Sequence, residues 1–243
     1  MSDPTKKRAR IVLVRHGQAS AGAADYDQLS ERGVEQSRHI GSYLARWVPE
    51  PDHVLVGPRR RHEQTYAAAL ETITAAQRSW PTPEAAPGFD EHHGIQLLQH
   101  LAAELPTRTD AVGDAARAAF SGGATNPVRA WMKLVRVVLE AWSRGEVDHP
   151  EVERWVTFRA RVALAIDEAR ARAATCVVFT SGGAVSAAVG DALGLDDARV
   201  LDLAWAIRNA SITELSVGSG GAATLSTFNV ITHLPSDDLI TFV

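Results

Sequence analysis

An arginine, a histidine and a glycine stand side by side where an apolar run of the sequence stops. Arg15, His16 and Gly17 follow the apolar residues 11–14. A neutral imidazole nitrogen can attack phosphorus when neighbouring guanidinium groups neutralise the phosphoryl oxygens, and a glycine lets the backbone approach a ligand closely. The triplet therefore indicates an anion site with a histidine nucleophile. A chance Arg-His pair at the end of a strand is the alternative.

A second apolar run, residues 53–56, also delivers cations. It ends in Gly57 and a proline, and three arginines follow in the first turn of a predicted helix. Backbone N–H groups at a helix start already favour an anion. Only one or two of the three side chains can face inward. A solvated face is the better expectation for Arg59 and Arg60, and Arg61 stands out only by its spacing from Pro58 and Thr65.

The elements that position these residues follow one design. Residues 11–14, 53–56 and 176–180 are short apolar runs that end in small or Gly-rich residues and precede helical patterns. Continuous apolar runs are typical of central parallel strands with helices on both faces. The carboxyl ends of such strands share one rim, and open α/β sheets bind their ligands there. Polar residues at the three strand ends are therefore the site candidates.

The remaining segments complete the predicted architecture. Helices are expected over residues 29–47, with Ser30 at the start, over 151–173, and over 184–193 with Gly194 as C-cap. Residues 211–217 and 223–228 read as a hairpin around a Gly-rich turn at 218–221. We predict a three-layer α/β/α sandwich with a mostly parallel central sheet, an antiparallel edge and a helical insertion over the site. The whole chain, 1–243, is interpreted as a single domain with an insertion at about 89–150.

Composition limits the classes of function. The chain has 243 residues, 45% of them apolar, and a net charge of −4, so it lacks the basic field that draws proteins onto nucleic acid or an anionic membrane. No stretch reaches the roughly 18 apolar residues that a membrane span needs, and the single cysteine, Cys176, reads as a buried apolar residue. We expect a cytoplasmic protein with no nucleic-acid or membrane partner.

Three short patterns occur in order along the chain: VLVRHGQ at 12–18, LSxxGxxQ at 29–36 and PxxRxxQT at 58–65. Together they resemble the histidine phosphatase superfamily, the phosphoglycerate-mutase-like proteins. The likeness runs from about residue 10 to 234 and is weakest between 94 and 150. The resemblance implies that His16 is the phosphorylated nucleophile and that Arg15 and Arg61 bind the phosphoryl oxygens.

The same resemblance implies a carboxylic acid that protonates the leaving oxygen. Residues 89–94, FDEHHG, occupy the corresponding place, and Glu91 is the candidate. A general acid needs a raised pKa, which a partly desolvated pocket would provide; an exposed loop carboxylate is the alternative. His92 and His93 are interpreted as loop residues, because no further ligands follow at a recognisable spacing. Neither a metal nor a cofactor is expected.

The sequence departs from the family pattern after the third strand. The family usually has a second histidine there, whereas this chain has Ser181 followed by Gly182. A serine donates one neutral hydrogen bond, and the glycines offer backbone N–H groups at a helix start. We place Ser181, Gly182 and Gln18 among the substrate-binding residues. His233 is not an obvious replacement and is interpreted as structural.

Two hypotheses about function follow, with a third less favoured. The first is a metal-independent phosphomonoesterase that hydrolyses a small-molecule phosphate ester through a phosphohistidine on His16. The second is a weak or inactive relative that binds phosphorylated ligands, because Ser181 carries no charge. A phosphoglycerate-mutase-type phosphotransferase has little support, since the residues after Gly17 lack the Glu-Ser pair that mutases tend to show. The sequence leaves the substrate's identity and the oligomeric state open.

Overall fold

A computed structural model describes residues 9–20, 27–123, 125–218 and 223–242 of the chain. In these ranges the strands are β1 (Ala9–Arg15), β2 (His53–Val56), β3 (Glu84–Ala85), β4 (Thr175–Thr180), β5 (Ile212–Val217) and β6 (Ala223–Val230). The helices are α1 (Glu31–Trp47), α2 (Arg60–Ala75), α3 (Gly94–Leu101), α4 (Ala111–Phe120), α5 (Pro127–Ser143), α6 (Trp155–Arg172), α7 (Gly182–Leu193) and α8 (Asp197–Ala206).

The strands form one mixed sheet in the order β3-β2-β4-β1-β5-β6. Strand β4 is parallel to both β1 and β2, and β2 is parallel to β3. Strand β5 is antiparallel to β1 and to β6, which confirms the predicted antiparallel edge. Arg15 lies opposite Thr180 in the β1–β4 register. The residues that follow β1 and β4 therefore emerge side by side on one rim.

Apolar side chains cover both faces of the central strand β1. Val12 and Val14 belong to a core cluster with Ile40 and Leu44 of helix α1 and with apolar residues of α2, β2 and β4. Alternate residues of a strand point to opposite faces, and the intervening Leu13 is also buried. Helix α7 packs on β1, β5 and β6. These contacts agree with the predicted α/β/α sandwich.

The chain divides into two compact units. One comprises residues 1–91 and 161–243, and the other comprises residues 92–160. The first unit holds all the described strands and every candidate site residue, while the second holds α3, α4 and α5. The location of a cap over the site stays a prediction. None of the helices in the described ranges is both long enough and apolar enough to cross a membrane.

Two helix starts differ from the sequence prediction. Helix α6 begins at Trp155 instead of residue 151, because Val152 N–H donates to the carbonyl of His149 in a turn that contains a proline. Helix α7 begins at Gly182, two residues early, and Ser181 is its N-cap. Gly194 ends α7 with a φ of 65°, as predicted. The hairpin strands are confirmed, while residues 219–221 of the predicted turn lie outside the described residues.

Candidate active site

His16 is fixed at the carboxyl end of the central strand. Its backbone N–H donates to the carbonyl of Thr180 at 2.9 Å, and its own carbonyl accepts from the N–H of Ala210 at 3.0 Å. Strand β4 and the segment just before β5 thus hold the residue by both backbone groups. Only 5% of His16 is exposed. The ring is therefore presented at the rim with little freedom to move.

The hydrogen bonds of the His16 ring specify its tautomer. Nδ1 lies 2.7 Å from the carbonyl oxygen of Gly17, which only accepts, so Nδ1 carries the proton. Nε2 then has the lone pair and accepts from Nε–H of Arg61 at 3.1 Å. Burial, followed by the charges of Arg61 and Arg15, lowers the pKa of His16 well below its usual value. The ring is therefore neutral, with the nucleophilic lone pair on Nε2.

The loop after His16 explains the glycine and glutamine positions of the sequence patterns. A side chain on Gly17 would meet the carbonyl oxygen of Gly33 at 2.3 Å, so the loop and the start of α1 approach closely. Gly17 N–H donates to Oγ1 of Thr65, and Gln18 N–H donates to Oε1 of Gln36 at 2.7 Å. The three sequence patterns thus converge on one loop.

Arg61 connects several parts of the site. Its side chain is buried and donates through Nε to His16, through one terminal nitrogen to Asp27 at 2.6 Å, and through the other toward Ser181 at 3.4 Å. Asp27 also accepts from the backbone N–H of Arg60. The structure places Arg61 beside His16, while its binding of phosphoryl oxygens stays a prediction, and the sequence prediction did not include Asp27. A lone aspartate two residues before Leu29 carries no signal of its own.

Arg15 approaches the same region from β1. One of its terminal nitrogens donates to the carbonyl of Ile207, and its Nε would lie 3.3 Å from a side chain added at Gly182. The guanidinium therefore rests against the first residue of α7, where the absence of a side chain gives it room. Arg15 and Arg61 together place two positive charges beside His16, and both charges lower its pKa.

Ser181 and Glu91 meet at the N-terminus of α7. Ser181 is fully buried as the N-cap. The backbone N–H of Gly183 donates to Oε2 of Glu91 at 3.3 Å, so this carboxylate reaches the first turn of the helix. Glu91 is half-buried rather than fully exposed. The structure thus brings the predicted acid to the rim that holds His16 and Ser181.

Several contacts fix the segment that carries Glu91. One terminal nitrogen of Arg161 donates to the carbonyls of residues 87, 88 and 90, with the shortest bond, 2.9 Å, to Gly88. Arg59 forms a two-point ion pair with Asp90 at 2.5 and 3.1 Å. The expectation that Arg59 lies on a solvated face is therefore wrong, since Asp90 draws it inward. Arg60 is exposed, as expected.

His62 belongs to the site although the sequence prediction overlooked it. Its ring is buried, its Nε2 lies 2.6 Å from Oγ of Ser181, and its centroid lies 5.8 Å from that of His16. Burial and Arg61 lower the pKa of His62 to about 4. The only sequence signal of His62 is its place directly after Arg61 in the first turn of α2.

The residues described so far form one group, the His16 cluster: Arg15, His16, Arg61, His62, Glu91 and Ser181. The other candidates lie apart from this cluster or support it. The side chain of Gln18 accepts from the hydroxyl of Ser30, and its carbonyl accepts from the same residue, so these bonds hold the loop against α1. His92 packs among aromatic rings of the second unit. His233 donates from Nε2 to the carbonyl of Ala210 at 3.0 Å, which agrees with a structural role. Cys176 is buried, which raises its pKa to about 12.

One group of side chains in the described residues has the spacing of metal ligands. His100, His149 and Glu151 bring ligating atoms within 4.8 Å of one another in the second unit. The rings of the two histidines stack at 4.3 Å. This group shares no residue with the His16 cluster. At His16 itself, positive charge is supplied by guanidinium groups and helix N-termini, the donors that suit a phosphoryl group.

Comparisons with known proteins bear on the family and the fold. The family model of the histidine phosphatase superfamily (branch 1) matches residues 11–119 and 125–230. No curated protein is similar enough in sequence to count as a match. Among solved structures, a putative alpha-ribazole-5'-P phosphatase from Escherichia coli is 18% identical with a TM-score of 0.59, covering 92% of this chain and 97% of its own.

Two further structures show the same fold. Phosphoglycerate mutase from Bacillus anthracis is 18% identical with a TM-score of 0.59, covering 93% of this chain and 95% of its own. A mycobacterial glucosyl-3-phosphoglycerate phosphatase is 19% identical with a TM-score of 0.56, covering 92% of this chain and 99% of its own. With the family model matched over most of the sequence, the chain belongs to the histidine phosphatase superfamily.

Proposed function

We propose that the protein is a metal-independent phosphomonoesterase that hydrolyses small-molecule phosphate esters through a phosphohistidine on His16. The observation that carries the proposal is the state of the His16 ring. Its Nδ1 is bound to the carbonyl of Gly17, and its Nε2 lone pair faces the guanidinium of Arg61. A neutral nucleophile beside fixed cations is what attack on a phosphate monoester requires.

In the first step the phosphate ester replaces the hydrogen bond between Nε–H of Arg61 and Nε2 of His16. A phosphoryl oxygen accepts the Nε–H of Arg61, which frees the Nε2 lone pair of His16, and Arg15 adds a second cation. The Nε2–P bond forms as the P–O bond to the leaving group breaks, and the leaving oxygen takes a proton from the carboxyl of Glu91. The bond from Nδ1–H to the carbonyl of Gly17 stabilises the positive charge that the phosphorylated ring acquires.

In the second step water hydrolyses the intermediate. The carboxylate of Glu91 accepts a proton from the water as its oxygen bonds to phosphorus. The P–N bond breaks, its electron pair returns to Nε2 of His16, and inorganic phosphate leaves. Glu91 is protonated again and His16 is neutral, so the cycle closes without a metal or cofactor.

A second candidate function is the binding of phosphorylated ligands without turnover. Arg61 already has an anionic partner, Asp27, at 2.6 Å, and Ser181 contributes no charge. Both features weaken the stabilisation of a transition state more than they weaken binding of an anion. This candidate predicts affinity for inorganic phosphate with no release of phosphate from esters.

Phosphate release from p-nitrophenyl phosphate distinguishes the two candidates. The assay is run with a chelator and without added metal, on the wild type, His16→Ala and His53→Ala. His53 is a half-buried histidine at the start of β2, at the opposite end of the strand from the site, so it is a matched control. We expect turnover in the wild type and in His53→Ala, and none in His16→Ala.

Three other outcomes of the assay would contradict the proposed phosphatase. Equal turnover in the wild type and His16→Ala would refute the mechanism. No turnover in the wild type, with calorimetric binding of inorganic phosphate that Arg61→Ala abolishes, would establish the binding protein instead. Transfer of the phosphoryl group to an added alcohol in place of phosphate release would indicate a phosphotransferase.

A further inference from the structure

His62 is a buried polar residue that does not belong to the apolar core cluster of the sheet. The ring is buried in the first turn of α2, beside the permanent charge of Arg61. Its Nδ1 has no hydrogen-bond partner among the described residues. A buried polar atom without a partner costs free energy, which an apolar side chain at this position would avoid. The unpaired Nδ1 therefore lowers the stability of the folded chain.

The backbone around His62 is shaped to admit the ring. A side chain added at Gly57 would lie 2.5 Å from Nδ1 of His62 and 3.1 Å from the carbonyl oxygen of Phe89. Gly57 directly follows β2, and Phe89 lies two residues before Glu91. The ring thus occupies a slot between the end of β2, the segment of Glu91 and the N-terminus of α7. All three elements lie at the rim that holds His16.

The free nitrogen indicates which tautomer His62 adopts. With the proton on Nδ1, a buried N–H would lack an acceptor, which folded proteins rarely tolerate. With the proton on Nε2, the ring donates to Oγ of Ser181 at 2.6 Å and leaves only a lone pair unpaired. The second arrangement is the less costly one. Oγ of Ser181 then accepts from His62, so its own O–H is free to donate elsewhere.

We propose that His62 and Ser181 act as one hydrogen-bonded unit, in which His62 orients the hydroxyl of Ser181 so that it donates to a phosphoryl oxygen on His16. The unit does the work of the second histidine that the family pattern has at position 181. The imidazole comes from the start of α2 instead of the end of β4. This inference rests on the proposed phosphatase function and names His62 as a positioning residue for it.

The charges around His62 suit this role. Burial and the charge of Arg61 disfavour protonation of His62, and the carboxylates of Glu91, Asp90 and Asp27 favour it. Burial and Arg61 outweigh the carboxylates, so the free site holds a neutral ring whose pKa is about 4. A phosphoryl dianion at His16 adds negative charge close to the ring. The bond from His62 to Ser181 therefore strengthens when the site is occupied.

The experiment is a double-mutant cycle with a conservative rescue. His62→Ala, Ser181→Ala, the double variant and His62→Gln are compared with the wild type on p-nitrophenyl phosphate. We expect each single alanine variant to lower kcat about 100-fold with a small change in KM. The double variant should lose little more, since the pair acts as one unit. His62→Gln, whose amide can donate to Ser181, should recover part of the loss.

A relocated histidine gives a second, independent test. In the double variant with His62→Ala and Ser181→His, the imidazole stands at the N-cap of α7. The alanine at position 62 leaves the slot of the original ring empty, so the new ring has room. We expect this variant to exceed His62→Ala in kcat by at least about tenfold. Thermal unfolding of every variant, with His53→Ala as control, identifies any loss that reflects folding. Additive effects in the cycle, or kcat within threefold of wild type in His62→Ala, would overturn the proposal.

Failure of this inference is distinguishable from failure of the proposed function. If the wild type releases no phosphate, the same cycle is measured by calorimetry with inorganic phosphate. Coupled losses of affinity in His62→Ala and Ser181→Ala would support the hydrogen-bonded unit in a binding protein. Unchanged or additive affinities would overturn it. Turnover that depends on His16 but not on His62 would leave the phosphatase intact and remove only the role of His62.

Discussion

Glu91→Gln replaces one titratable carboxyl group at the rim by an amide of the same shape. The amide oxygen can still accept from Gly183 N–H, which the carboxylate accepts at 3.3 Å, and Arg161 still holds the carbonyls before it. What the variant loses is the ability to protonate a leaving oxygen. The size of the loss therefore depends on how much the leaving group needs a proton.

The magnitude follows from the chemistry of two esters. General acid catalysis contributes about 10²- to 10⁴-fold, or about 3 to 5 kcal/mol of barrier, when the leaving group is an alkoxide. p-Nitrophenolate is a stable anion at neutral pH and needs little help. We expect Glu91→Gln to lower kcat for glycerol phosphate by at least about 100-fold, and to lower the rate of the first step with p-nitrophenyl phosphate by less than about tenfold.

The assay measures the two steps separately. Rapid mixing with p-nitrophenyl phosphate reports formation of the phosphohistidine as a burst of p-nitrophenolate, and steady-state phosphate release reports its hydrolysis. Because the proposed mechanism also uses Glu91 as the base for water, the variant should show a burst followed by slow turnover. Equal losses for the two esters in the first step would refute the assignment of Glu91 as the acid. Arg161→Met removes the hydrogen bonds to the same segment but keeps the carboxylate of Glu91. In this variant the losses of rate for the two esters should differ less than they do in Glu91→Gln.

Three further predictions concern the slot of His62. Gly57→Ala places a carbon 2.5 Å from Nδ1 of His62, so we expect kcat to fall and the free energy of unfolding to drop by about 1 to 3 kcal/mol in a denaturant titration. Ser181→His alone adds a second ring where Oγ already lies 2.6 Å from His62, so it should be less active than the same change combined with His62→Ala. The pKa of His62 falls from 6.5 to about 4 on folding, so the unfolded chain binds the proton first as the pH drops. The wild type should therefore lose about 2 kcal/mol more of its unfolding free energy between pH 7 and pH 5 than His62→Gln does.

The sequence predicted the elements whose residues carry a local signal. The strand at residues 53–56 coincides with β2, and Ser30 caps α1 by accepting from Gly33 N–H at 3.1 Å. Apolar runs and capping residues specify such elements because the determining contacts lie within a few residues. The pairing of Arg61 with His16 was also predictable, since both follow parallel strands of one sheet.

The contributions that were missed depend on contacts between distant parts of the chain. Arg59 turns inward because Asp90, 31 residues later, offers a two-point ion pair. Asp27 acquires its role from Arg61, 34 residues away. Neither residue type nor spacing marks these pairs in advance. The start of α7 at Gly182 was missed for a local reason, since glycine is a poor helix former and two in succession read as loop.

His62 shows why a missing residue in a pattern does not establish a missing group in a site. Position 181 is one place from which an imidazole can reach the phosphoryl group, because it follows β4 at the rim. The start of α2 is another, because it follows β2, which is the neighbour of β4 in the sheet. Side chains from the two positions meet, since Nε2 of His62 lies 2.6 Å from Oγ of Ser181. A histidine at position 62 therefore has room only when position 181 holds a small residue and position 57 a glycine. Changing any one of the three residues alone should therefore lower activity. A second change on the other strand's side, as in His62→Ala with Ser181→His, should restore part of that activity.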